Sequence, residues 1–403
     1  MSSSLDSIPQ VILKPRRAQP FFARHPWVFS GAVDRIIGAP APGDEVLLMS
    51  DRGEFVARGL FNPHSNIQVR LYSWDAEVTL DEGFWSTRIE TAIRLRRDTL
   101  HICAPETACR LIFSEADGIS GVIVDRYADW LLVQFTSLAL ATRRDLIVRL
   151  LQEKLQPAGI WLRTEKGIRE AEGLEISDGL LAGREPPRPL AITEHGLQYG
   201  VDVVEGQKTG FFLDQRDNRQ AFLRYLSGGK ALDLCTYSGG FAMNAVRNGG
   251  VQEVLAVDVS ESALAIARRN VELNNLTGEI RFEKSDAFKM LERLRTGTER
   301  FDVVVLDPPK LARHARGLSE ALRGYHSLNR MALEVLTPGG ILVTCSCTGH
   351  VSREMFAEML ADAASSAKRP LQILEARGPA PDHPTSVHCI ETNYLKCYIC
   401  RAV

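Results

Sequence analysis

The apolar positions of this chain fall into three regimes. Between residues 11 and 74 they come in short runs cut by turn residues. Trp27-Val28-Phe29, Glu45 to Met49, Phe55 to Leu60 and the alternating Ile67 to Tyr72 are separated by Gly43-Asp44, Asp51-Arg52-Gly53 and Asn62-Pro63. Strands this short, punctuated by glycine and aspartate, predict a compact barrel or sandwich. Residues 81–200 mix two periods. Phe84 to Leu100 and Leu138 to Leu155 have helical spacing, while Arg110 to Glu115, Gly121 to Asp125, Trp130 to Thr136 and Trp161 to Thr164 read as strands. Arg184 to Pro189 is a proline-rich loop, and Ile192 to Val203 alternates again. The segment predicts a small α+β domain beside the last one.

From about residue 205 the pattern becomes strand–helix repeats. Ala231 to Leu234, Glu253 to Val257, Ile280 to Lys284, Phe301 to Leu306 and Gly340 to Thr344 are strands. They alternate with helices over Phe241 to Asn248, Ser260 to Asn274, Ala287 to Leu294, Glu320 to Leu336 and Arg353 to Ala364, and Gln372 to Ala376 and Tyr394 to Ile399 finish the sheet. This alternation predicts a doubly wound α/β sheet, whose ligands sit beyond the carboxyl ends of its strands. The expected architecture is a multidomain α/β protein: a β domain over 11–80, a small α+β domain over 81–195 and a doubly wound domain over 196–403.

Composition narrows the class. With 45% hydrophobic and 24% charged residues in 403, the chain is neither disordered, collagen-like nor a disulfide-stapled miniprotein. Its net charge of −2 excludes a globally basic coat but not a local basic patch. Residues 11–74 hold eight basic side chains (Lys14, Arg16, Arg17, Arg24, Arg35, Arg52, Arg58, Arg70) against five acidic ones. Phe21, Phe22, Trp27 and Phe29 are interleaved among them. Such a patch suits RNA, with Arg16 and Arg17 as contact candidates, or it is a solvated face over core aromatics. The polar start of the chain carries no secretory pattern, and no apolar run approaches 18 residues, so a cytoplasmic protein with no membrane partner is expected. The eight cysteines form no repeated C-x-x-C cage and read as buried free thiols, so no metal is expected.

The unusual residues stand at strand ends. The first strand leads through Asp233 and Thr236 into Ser238-Gly239-Gly240, a turn whose glycines let backbone approach a ligand. It matches neither the dinucleotide fingerprint nor a phosphate-binding loop. The second ends in Asp258, where an acidic group commonly grips ribose hydroxyls. The two together point to a nucleoside-type cofactor. The third is followed by Asp286, which either accepts an adenine amine or caps the next helix. The fourth presents Asp307-Pro308-Pro309-Lys310, a carboxylate on a rigid turn. The fifth ends in Cys345-Ser346-Cys347; at two-residue spacing the cysteines point to one side. A thiolate nucleophile, a metal pair or a redox couple would each suit them, and the Asp307 loop favours the nucleophile.

This set, together with GQKTGFFLDQRDNR at 206–219 and HPWVFSG at 25–31, resembles the class I S-adenosylmethionine-dependent methyltransferases. More closely, residues 11–403 resemble the bacterial 23S rRNA (cytosine-C5) methyltransferase family. The resemblance implies an N-terminal PUA-like RNA-binding domain, a central small α+β domain and a C-terminal Rossmann-like class I methyltransferase domain. It implies S-adenosyl-L-methionine as cofactor, held at its methionine end by Asp233, Thr236, Ser238 and Gly239, at the ribose by Asp258 and at the adenine by Asp286. Gln215 and Arg216 would line the same pocket or position substrate. The partner it implies is 23S rRNA or a large-subunit assembly intermediate, and the family allows a homodimer.

The chemistry suits the residues in their own right. Carbon 5 of a pyrimidine is a poor nucleophile until a thiolate adds at carbon 6, and cysteine is suited to that covalent step. Asp307 would hydrogen-bond the base edge. Pro308 belongs to the same turn, and Lys310 stands where amino-methylating enzymes usually carry an aromatic, which argues against nitrogen methylation; it could instead meet a phosphate. Either cysteine could attack: Thr344-Cys345-Ser346 resembles the TCS motif of one RNA cytosine-methylating group, and Ser346-Cys347 resembles the Ser-Cys of uridine C5 methyltransferases; the Asp307 loop lacks the Pro-Cys of the first group, which favours Cys347. A uridine C5 methyltransferase, an N-methyltransferase and a non-catalytic RNA-binding assembly factor are the rival readings.

Overall fold

The computed structural model describes residues 7–204, 210–312 and 314–403. The first four residues of the 206–219 motif therefore lie outside the described residues. The chain forms two compact units. One joins the N-terminal and central sheets with a returning segment, Pro381–Thr392; the other holds 191–201, Phe211–Ala380 and Asn393–Val403.

In the first unit, β1 (Gln10–Leu13), β2 (Trp27–Phe29), β3 (Val33–Ile37), β4 (Glu45–Met49), β5 (Phe55–Phe61) and β6 (Ile67–Ser73) make a six-stranded sheet in the order β2-β6-β5-β4-β1-β3. All its pairs are antiparallel except β1 with β4. β1 and β3 were not expected from the sequence; β3 lies at the sheet edge with no position fully buried, so its pattern is weak. The inward side chains, among them Val11, Val28, Val46, Leu48, Val69 and Leu71, close one core.

The central sheet runs β11-β10-β9-β8-β7, built from β7 (Ala108–Phe113), β8 (Val122–Tyr127), β9 (Trp130–Phe135), β10 (Gly159–Leu162) and β11 (Gly179–Gly183). Helices Glu82–Arg94 and Arg144–Leu155 supply Trp85, Ile89, Ile93, Ile147 and Leu151 to the same core as these strands. The helix expected from Leu138 to Leu155 is broken: Leu138–Ala141 ends before Arg144–Leu155 begins. At the break, Arg143 donates to the Gly43 carbonyl at 2.7 Å, so a tertiary contact overrides local periodicity.

Two of the eight basic residues counted as an RNA patch are structural. Arg70 is 6% exposed and pairs with Glu115 at 3.0 Å and Glu172 at 3.2 Å. Arg58 is 3% exposed and pairs with Glu45. Of the aromatics, Phe21 is core, whereas Phe22 and Phe29 are exposed. Arg16 and Arg17 lie in the exposed turn after β1. The segment Pro381–Thr392 belongs to this unit by contact: the Asp382 carbonyl accepts from Arg96 at 2.7 Å, and its carboxylate accepts from the Arg110 amide at 2.9 Å.

In the second unit, the alternating stretch after Leu190 is a hairpin, β12 (Leu190–Glu194) with β13 (Leu197–Val201). His195 and Gly196 both have positive φ, +52° and +77°, the signature of a two-residue primed turn. The main sheet contains β14 (Lys230–Leu234), β15 (Glu253–Asp258), β16 (Ile280–Lys284), β17 (Phe301–Leu306), β18 (Leu336–Ser346), β19 (Leu371–Arg377) and β20 (Lys396–Ala402). Its order is β16-β15-β14-β17-β18-β20-β19. The first five of these are parallel, and β20 is antiparallel to both neighbours. The doubly wound reading therefore holds. The chain direction across the sheet reverses between β14 and β17, which opens a crevice beyond their carboxyl ends.

Candidate active site

The crevice is lined by the segments that follow β14, β15, β16, β17 and β18. β14 and β17 pair in parallel with Leu234 opposite Leu306, so the turns that follow are neighbours. After β14, the Thr236 hydroxyl donates to Asp233 Oδ2 at 2.6 Å and the Ala242 amide donates to the same oxygen at 3.1 Å. The Asp233 carboxylate thereby ties the turn to the start of helix Gly240–Arg247. Cys235 and Tyr237 adopt φ of +63° and +50°, sparsely populated conformations for side chains with a Cβ. Gly239, at +81°, caps the helix in the left-handed region where glycine alone is unstrained.

Asp258 ends β15 and accepts from the Tyr237 amide at 3.0 Å and the Ser260 amide at 2.9 Å. One carboxylate thus fixes both the glycine turn and the turn after its own strand. Asp286 is the N-cap of helix Ala287–Thr296 and accepts from the Phe288 and Lys289 amides at 2.9 and 3.3 Å. Of the two roles weighed for Asp286, the cap is realised.

These carboxylates set an acidic field. Burial, with Asp307 and Asp258 adding to it, pushes the Asp233 carboxyl up to about 7. The Cys235 thiol is pushed up by burial and then by Asp258, Asp307, Asp233 and Asp286. Among the described residues, no lysine or arginine is ion-paired to Asp233 or Asp258. Buried carboxylates without a protein cation fit a ligand that brings positive charge and hydroxyl donors. A sulfonium nucleoside with an α-ammonium group meets both needs.

The far wall comes from β17 and β18. Asp307 accepts from the Gln215 side-chain amide at 2.9 Å. Gln215 and Arg216 are buried, and Arg216 pairs with Asp217 at 3.0 Å. Pro308 is buried, and Lys310 is exposed on the same turn. The two cysteines differ. Cys345 is fully buried opposite Cys397 in the β18–β20 register, and the contact with Cys397 and burial push its thiol well up. Cys347 stands one residue beyond the strand, half-buried, with Sγ 4.0 Å from the Pro308 carbonyl. The structure thus brings Gln215, Asp233, Asp258, Asp307 and the cysteines into one crevice region, while Arg16 and Arg17 belong to the other unit.

Sequence reasoning missed the supports. Arg219, 3% exposed, forms a two-pronged pair with Glu194 at 2.7 and 2.8 Å and so anchors the hairpin. Gly240 is required beside it, because a Cβ there would meet Arg219 Cδ at 2.9 Å. Asn218 donates to Gln215 at 2.7 Å, and the Tyr325 hydroxyl meets Thr348 Oγ1 at 2.8 Å. Lys396 is also buried here. Its one visible signal is a lone lysine heading an apolar run.

The S-adenosylmethionine-dependent methyltransferase family matches residues 176–389, and the PUA-like domain family matches residues 11–74. Fold and site together define an S-adenosylmethionine-dependent methyltransferase with a Rossmann-like class I catalytic domain, a central α+β domain and an N-terminal PUA-like domain. The chain is 40% identical over 395 residues to ribosomal RNA large subunit methyltransferase I of Erwinia tasmaniensis, covering 98% of this chain and 99% of that one. It is 41% identical over 379 residues to the protein of the same name from Photobacterium profundum, covering 94% and 95%. A solved chain assigned as a methyltransferase, in complex with SAH, shares the fold at a TM-score of 0.83 and 21% identity over 97% of this chain and 99% of that one. The chain belongs to the ribosomal RNA large subunit methyltransferase I family. Among the described residues, no helix is long and apolar enough to cross a membrane.

Proposed function

We propose that this enzyme methylates carbon 5 of a cytidine in 23S rRNA, free or in a large-subunit assembly intermediate, with Cys347 as the nucleophile. The observation that carries the reading is the inequality of the two cysteines. Cys345 is buried against Cys397, whereas Cys347 is half-buried beside the Asp307-Pro308 turn.

S-adenosylmethionine, when bound, supplies an electrophilic methyl group. The residues that would hold it are Asp233, Thr236, Ser238, Gly239 and Asp258, with Asp286 at the outer edge. Cys347 adds to carbon 6 of the base, and the carbon 5–carbon 6 π pair moves to carbon 5, making it nucleophilic. Asp307, held by Gln215, hydrogen-bonds the amino edge of the ring and orients it. After transfer, water takes the carbon 5 proton, that electron pair re-forms the carbon 5–carbon 6 double bond, the carbon 6–sulfur bond breaks, and Cys347 leaves as the thiolate. The base must be unpaired or extruded to reach this crevice. Exposed Arg16, Arg17 and Lys310 would meet phosphates, and exposed Phe22 and Phe29 offer stacking surfaces.

The test is a tritium-release assay on 23S rRNA labelled at carbon 5 of its cytosines, followed by nucleoside mass spectrometry. The expected result is tritium release with 5-methylcytidine, lost in Cys347→Ala and retained in part in Cys345→Ala. Formation of 5-methyluridine would move the assignment to uridine. RNA binding with no methylated nucleoside would overturn it.

A further inference from the structure

Lys396 opens β20, in register with Ser346 at the end of β18, and is 1% exposed. Its Nζ donates to the Thr348 carbonyl at 2.7 Å and the Tyr394 carbonyl at 2.8 Å. Among the described residues, no carboxylate pairs with it. A buried ammonium satisfied only by neutral carbonyls is costly, and it calls for an anion.

Burial lowers the value of Lys396 to about 8, the like charges Arg353 and Lys310 add to that effect, and Cys347 acts the other way. The geometry agrees: Lys396 brackets the nucleophile, its backbone in register with Ser346 before it and its Nζ bonded to the Thr348 carbonyl after it. Thr348 is itself fixed, since its hydroxyl accepts from the Leu311 amide at 3.3 Å and meets the Tyr325 hydroxyl. The Cys347 sulfur lies 4.0 Å from the Pro308 carbonyl.

We propose that Lys396 is a positioning residue that holds the Cys347 sulfur as its thiolate, the ammonium and the sulfur forming a buried ion pair at the carboxyl end of β18. The role in methyl transfer rests on Cys347 being the nucleophile; the ion pair does not. The thiol proton goes to solvent when the pair forms. Lys396 keeps its own protons while the sulfur bonds to carbon 6, and it faces the thiolate again when that bond breaks. Thr348 and Tyr325 keep the carbonyl that carries the lysine in place.

The test is the pH dependence of iodoacetamide alkylation at Cys347, read peptide by peptide by mass spectrometry on the full chain. In the unmodified protein the midpoint is expected below the ordinary thiol value of about 8.5. Lys396→Met should raise it by about one unit, a loss of about tenfold in rate at pH 7, while Lys396→Arg keeps it low. The acidic limb of the methyl-transfer profile should move upward with it. A midpoint at or above the ordinary value in the unmodified protein overturns the proposal without any variant, and so does the same midpoint in folded Lys396→Met. Retained methylation by Cys347→Ala, with a titration that still depends on Lys396, would remove the nucleophile assignment and leave the ion pair standing.

Discussion

The Gln215 side-chain amide donates to Asp307 Oδ2 at 2.9 Å while its carbonyl accepts from Asn218 at 2.7 Å. The Asn218 carbonyl in turn accepts from Arg377 Nε at 2.9 Å. Arginine can only donate, so it dictates which way each amide faces along the chain to Asp307. Replacing Gln215 by Glu sets two carboxylates together, which favours one remaining protonated. Methylation at pH 8 should fall by about ten- to a hundredfold, with the deficit narrowing toward pH 6, where a shared proton restores the hydrogen bond. A deficit constant across that range would remove Asp307 from the base-orienting role.

Asp233 titrates in an unusual direction for a carboxyl. Its folded value of about 7 lies above the unfolded value of 3.8, so the folded chain holds a proton that the unfolded chain has lost between these limits. This group therefore withdraws stability as pH rises from 3.8 to 7 and has no effect on the balance below 3.8. A cationic ligand beside it reverses the preference. Cofactor binding at pH 6 should release a fraction of a proton, measured by calorimetry in buffers of different ionisation enthalpy, and Asp233→Asn should abolish that release.

Asp258 serves two backbone amides with two oxygens. Asp258→Asn keeps the shape but leaves one acceptor, so one amide loses its partner and the turn after β14 loosens. S-adenosylmethionine affinity should drop at least tenfold, about 1.4 kcal/mol. Affinity within twofold of the original would show that the turn is set without it.

Arg219 and Glu194 are a buried pair. Arg219→Met or Glu194→Gln alone strands the other charge and should cost about 3–5 kcal/mol in denaturant unfolding. The double variant Glu194→Leu with Arg219→Met should recover most of that loss. Equal losses in single and double variants would mean the hairpin needs the charge itself.

The exposed turn with Arg16 and Arg17 carries the RNA-binding prediction. Glutamates at both should weaken RNA binding across sequences and reduce the slope of log affinity against log salt by about one to two. An unchanged slope would place the phosphate contacts elsewhere, since Arg58 and Arg70 are already committed to Glu45, Glu115 and Glu172.

The strands from Ile280 to Lys284 and from Phe301 to Leu306 were legible to the residue for different reasons: the first is an edge strand whose apolar and polar residues alternate, the second a central strand that is nearly all apolar and buried. The helix expected at Leu138 to Leu155 and the strand expected at Ile192 to Val203 were each interrupted. One break follows a tertiary hydrogen bond to Gly43. The other follows a positive-φ turn at His195, which its side chain does not announce.

The chain's own pattern places the five parallel strands of the main sheet and the loops that carry Asp233, Asp258, Asp307 and Cys347, since local periodicity and turn chemistry decide where strands end. Only the tertiary structure decided what surrounds those groups. Cys345 is removed from solvent opposite Cys397, a partner from another strand; Lys396 is set opposite Ser346 by the β18–β20 register and buried; Arg58 and Arg70 are taken out of the basic patch by acidic partners. Each of these depends on desolvation and on pairing between distant segments. Such energies belong to the packed interior and leave no periodic trace in the chain.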